Sequence, residues 1–134
     1  MINRKRLLWA YIATLVADNV YGFLVFGMAL GSFHARYPTW LKSQAELPIL
    51  RMFLTGALNL ALVSLFYALF ARGRSRRLST GVVFGLLLGS IAGWVPQAMN
   101  QLLFVNYPFY ARWAPAIFAE FLLMGIVLGC VYRE

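Results

Sequence analysis

Hydrophobic positions along this chain fall into four long, nearly uncharged runs: Leu7 to Gly31, Pro48 to Ala71, Ser79 to Val105 and Trp113 to Val131. Each comes to about the 20 residues that an α-helix needs to cross a hydrocarbon core of about 30 Å. The connections between them are short. The pattern therefore predicts an all-α, polytopic membrane protein. Its four transmembrane helices cover about 7–31, 48–71, 79–105 and 113–131, in one bundle over residues 1–134 with no room for a soluble domain. The first run is too long for a cleavable signal and reads as an uncleaved anchor.

The third run carries the strongest internal pattern. Gly81, Gly85, Gly89 and Gly93 recur at every fourth position, and the same row continues into Gln97 and Gln101. Residues four apart share a helix face. In water each interior glycine would weaken the helix by about 1 kcal/mol. In a bilayer the same row lets a neighbouring backbone approach closely, which is how helices bind where no hydrophobic force draws them together. Gly125 and Gly129 form a similar pair in the fourth run. A row of this kind drifts about 40° around the helix per step, since four residues turn about 400°. The expectation is that its two halves meet different helices, one of which can belong to another chain.

The prolines add detail. Pro48 and Pro115 suit the first turns of the second and fourth helices, where a missing N–H costs nothing. Pro96 falls inside the third run and predicts a kink there. The first outer loop, with Pro38 and Trp40, reads as a segment lying on the membrane surface.

Composition agrees: 62% of residues are hydrophobic and 12% charged, against about 25% charged in soluble domains. The net charge of +8 would point to nucleic acid in a soluble protein. Its placement points elsewhere. Eight of the twelve cations (Arg4, Lys5, Arg6, Arg72, Arg74, Arg76, Arg77 and Arg133) fall on the side of the N-terminus. Arg36, Lys42, Arg51 and Arg112 fall on the other. The positive-inside bias predicts a protein of the inner membrane with both termini and the Arg72–Arg77 loop in the cytoplasm. These side chains then meet anionic lipid head groups. The expected partners are the lipid bilayer and itself or another membrane protein; nucleic acid is not expected. Cys130 is the single cysteine, so no disulfide forms within the chain.

Polar residues inside the runs are few. At about 1.5 Å per residue, Asp18, Asn59, Ser90 and Glu120 all lie about 16–18 Å from the cytoplasmic ends of their helices. Asn19 adjoins Asp18. Each of the four shares a face with a small residue: Gly22, Gly56, Gly93 and Ala116 respectively. Small residues mark packed faces, so a polar layer pointing into the bundle near the midplane is expected. No Lys, Arg or His lies at that depth. Acids so placed are protonated and hydrogen-bonded, bound to a cation, or exposed to a wet cavity. Gln97, Asn100 and Gln101 form a second polar group, a candidate outer vestibule beside Pro96. Met28, Met52, Met99 and His34 offer soft ligands but match no metal motif, so no metal or cofactor is expected. With one histidine, no nucleophile–base pair and no phosphate loop, an enzyme is not expected either. Two functions remain. The abundance of small-residue rows favours an interaction or accessory subunit of a homo-oligomer or larger membrane complex. The alternative is a small proton- or cation-coupled transporter using Asp18 and Glu120.

Overall fold

The computed structural model describes residues 2–34, 48–102 and 109–132, excepting the side chains at 33, 34, 97, 99–102, 109 and 110. Every regular element among them is helical. Helix α1 spans Arg4–Tyr21 and passes directly into a π-helical stretch, Gly22–Ala29. One helical turn follows, α2 (Gly31–His34), then α3 (Ile49–Phe70), α4 (Arg77–Leu102) and α5 (Phe109–Val131). Within these, Arg4–Ala29, Ile49–Phe70, Arg77–Pro96 and Ala111–Val131 are long and apolar enough to cross a membrane.

The helix ends differ from the expected ones for local reasons. α1 starts ahead of Leu7 because Asn3 caps it. The Asn3 side-chain oxygen accepts from the Arg6 N–H at 3.1 Å, and its backbone carbonyl accepts from the Leu7 N–H at 2.9 Å. Such a cap is worth about 1 kcal/mol, enough to wind Arg4–Arg6 into the first turn. Pro48 sits just before α3, and its carbonyl accepts from the Met52 N–H at 2.9 Å. Pro115 does not start α5; the helix begins at Phe109 and Pro115 lies within it. Membrane helices tolerate interior proline because neighbouring groups satisfy the freed carbonyl. Pro96 is inside α4, which runs on to Leu102. The surface-lying segment expected around Pro38 and Trp40 is outside the described residues.

The tightest pairing is antiparallel, α4 against α5. A Cβ added at Gly85 would lie 2.8 Å from the Phe121 carbonyl oxygen, and one at Gly89 2.8 Å from that of Phe118. One at Gly93 would lie 2.8 Å from the Ala114 carbonyl oxygen. Gly81 abuts the Gly125 carbonyl, and Gly129 packs on Arg77 and Gly81. The whole row thus meets α5, not two different helices. A neighbour parallel to α4 would lose a drifting row. One inclined along the i, i+4 ridge direction stays on it.

A second core forms at the end of the bundle that holds the N-terminus. Ala10 of α1, Tyr67, Ala68 and Ala71 of α3 and its cap, Phe84 of α4, and Leu128 and Tyr132 at the end of α5 pack together, with Ile2 against them. Tyr67 lies at its centre. Its ring stands edge-on to Phe84, with centroids 5.2 Å apart, and to Tyr132 at 6.0 Å. Between α3 and α4 the chain reverses in a tight turn. Gly73 adopts a φ of +70°, a conformation costly to residues with a side chain. The Arg74 guanidinium lies 4.0 Å over the Phe70 ring. The outward faces are lined by large apolar side chains such as Trp9, Leu50, Leu58, Leu87 and Trp94. That is the surface a bilayer solvates.

Candidate functional site

The site lies where α1 crosses α5. Ala10, Thr14 and Asp18 follow one another at intervals of four along one face of α1. Ala10 and Thr14 are fully buried. The Thr14 hydroxyl donates to the Ala10 carbonyl at 2.7 Å, so it satisfies itself within the helix and presents a small surface. The row therefore sits in the packed seam and carries Asp18 into it. On α5, Glu120 lies one turn after Ala116. The two carboxyl groups come within hydrogen-bonding reach of each other, both partly buried.

Tyr21 frames the pair. It is one turn beyond Asp18, and its hydroxyl donates to the Ala116 carbonyl at 2.7 Å, tying α1 to α5 beside Glu120. Its ring packs edge-on against Phe26, centroids 6.0 Å apart, and Phe26 packs on Trp113 at 5.1 Å. The helix changes character here. From Gly22 onwards the winding widens, and the Leu30 N–H donates to the Val25 carbonyl five residues back at 2.8 Å. Single π turns are common at functional sites, where they re-aim side chains. The π-helical stretch here is longer than a single turn, 8 residues from Gly22 to Ala29, and lies directly beyond the acids.

The expected polar layer is only partly assembled. Asp18 and Glu120 are brought together. Asn19, Asn59 and Ser90 are exposed on outward faces. Asn19 donates its amide to the Leu15 carbonyl at 2.7 Å, within its own helix. Ser90 follows Gly89, and about 100° per residue turns it off the glycine face that meets α5. Asn59 precedes buried Leu60 and is turned off the packed face of α3 in the same way. The small neighbours mislead here: a Cβ at Gly22 or at Gly56 would meet no atom within 4 Å, so neither glycine marks a contact. Of the helix-packing residues, Gly81, Gly85, Gly89, Gly93, Gly125 and Gly129 all lie in the α4–α5 interface. The side chains of Gln97, Asn100 and Gln101 are outside the described residues. Sequence reasoning passed over Thr14 and Tyr21. Their spacing of four and three from Asp18 was the available signal.

Among the described residues no group of three His, Cys, Asp or Glu side chains gathers to hold a metal. What the seam offers is two carboxyl groups with a phenol beside them. That set suits a proton or a small hard cation shared between oxygens. Among the described residues no cationic side chain acts on either carboxyl.

Architecture and site together define a multi-pass, all-helical membrane protein with an acid pair inside its spans. No protein-family model, curated protein or solved structure matches the chain.

Proposed function

We infer that this is a small carrier of the inner membrane that binds a proton or small cation at the Asp18–Glu120 pair and couples its passage to that of a substrate. The observation behind this reading is that the two carboxyls of the membrane spans, on helices far apart in sequence, meet in one seam. An acid is costly in hydrocarbon, and pairs of this kind line proton relays and ion pathways. The site sits beside a π-helical stretch, a winding found frequently at functional sites. The charge bias favours both termini and the 71–76 turn in the cytoplasm.

The test is flux in proteoliposomes. With a pH gradient imposed, the purified protein should dissipate it in the presence of a transported substrate. Asp18→Asn and Glu120→Gln should each fall to the level of empty liposomes while keeping the wild-type fold by circular dichroism. If both variants carry wild-type flux, or the wild type carries none, the carrier reading is wrong.

A second reading, a subunit of a homo-oligomer or larger membrane complex, is favoured by Asn59 and Ser90. Both are polar, within apolar spans, and exposed on the surface of the monomer. Side chains of this kind commonly hydrogen-bond across helix interfaces. The glycine row lends this reading no support, since α5 of the same chain already occupies it.

A further inference from the structure

A different part of the molecule carries a second site. At the end of the bundle holding the 71–76 turn, a cavity of about 270 Å³ is lined by Tyr67, Ala71, Arg74, Ser75, Arg77, Thr80 and Tyr132. Among the described residues its polar lining is two guanidinium groups and four hydroxyls, with no carboxylate. Tyr132 is 2% exposed, and its hydroxyl is buried with no hydrogen-bond partner. That hydroxyl lies behind the cavity wall, out of reach of the space itself, so the free donors facing the cavity are the guanidinium groups. Neighbouring hydroxyls are already engaged. Tyr67 donates to the Arg77 carbonyl at 3.4 Å and Thr80 to the Arg76 carbonyl at 2.6 Å. These bonds hold the cavity in shape without using the Tyr132 hydroxyl. Among the described residues no acidic side chain pairs with Arg74 or Arg77; Arg74 rests on the Phe70 ring instead.

We propose that this cavity binds a phosphate group, with the Arg74 and Arg77 guanidinium groups donating to its oxygens. Arginine forks match the geometry of phosphate oxygens and bind them with charge-assisted hydrogen bonds. The cavity lies at the junction of two spans, Ile49–Phe70 and Arg77–Pro96. Phospholipid phosphates occupy that depth, so the head group of an anionic lipid is one source. A soluble phosphate compound is the other. The site does not depend on which side of the membrane this end faces, nor on the carrier reading.

Native mass spectrometry of the full chain distinguishes the outcomes. The protein is purified in non-ionic detergent and offered phosphatidylglycerol, phosphatidylcholine or inorganic phosphate. The expected result is retention of one phosphatidylglycerol, with phosphatidylcholine released. Arg74→Gln with Arg77→Gln should reduce retention by about a hundredfold. Arg72→Gln with Arg76→Gln removes the same charge outside the cavity and should retain lipid like the wild type. Binding and thermal protection by inorganic phosphate without lipid retention, lost in the same variants, would assign the site to a soluble phosphate compound. Equal loss in the two arginine pairs, or no binding of either probe, would overturn the proposal.

Discussion

Replacing Gly85 by leucine should abolish the folded protein or strongly destabilise it. A Cβ at this position falls 2.8 Å from the Phe121 carbonyl oxygen and 2.9 Å from the Leu122 Cα. Both are backbone atoms, so no side chain can rotate aside. The helices must separate instead, and dispersion contacts are lost along the whole row from Gly81 to Gly93. Overpacking alone costs about 1–3 kcal/mol. Opening an entire interface adds to that and consumes much of a typical stability of about 5–15 kcal/mol. Purified Gly85→Leu should elute from size exclusion as aggregate, or melt far below the wild type by circular dichroism in detergent. Gly85→Ala brings the same Cβ against the same backbone atoms and should also melt below the wild type, by less than the bulkier leucine. Gly56→Leu is the control. Nothing lies within 4 Å of its Cβ, so its melting should match the wild type. A Gly85→Leu protein that melts with the wild type would mean that α4 and α5 do not pack through this row.

The acid pair should show a large thermodynamic coupling. Asp18→Leu leaves Glu120 with no side chain of its own kind to bond, and Glu120→Leu does the same to Asp18. An unsatisfied polar group in an apolar seam costs about 1–3 kcal/mol. Replacing both removes the mismatch, so the double variant should be more stable than the two single losses added together predict. The interaction energy of the cycle should reach about 1–3 kcal/mol, measured by denaturation in mixed micelles. Asn59→Leu paired with Asp18→Leu supplies the comparison. Asn59 is exposed on the surface, so those two losses should add. Additivity between Asp18 and Glu120 would separate the two carboxyls and remove the basis of the carrier reading.

The four spans were legible because length and hydropathy are properties of a run, independent of what packs on it. Pro96 within α4 was legible for the same reason. Starts and caps were less so. Asn3 wound the cationic segment into α1 through a local cap, and α5 began ahead of Pro115 because a membrane helix can carry a proline in its interior. At the candidate site, depth along each helix placed Asp18 and Glu120 at one level. Depth says nothing about azimuth. Asn59 and Ser90 share the level and point away, and the small residues used to judge their direction were poor guides where, as at Gly56, nothing packs on the glycine.

By itself, then, the sequence determined the number of spans, the absence of cations at mid-depth, the close-packing capacity of the Gly81–Gly93 face, and the gathering of positive charge at one end. These follow from composition along a helix axis. Only the tertiary structure decided which helix fills that face, which of the mid-depth polar groups meet, and that Tyr132 carries a buried, unpartnered hydroxyl beside Arg74 and Arg77. Those outcomes depend on the rotation and tilt of each helix about its own axis. In a bilayer, lipid solvates every apolar face alike, so close backbone approach and a few hydrogen bonds set that rotation.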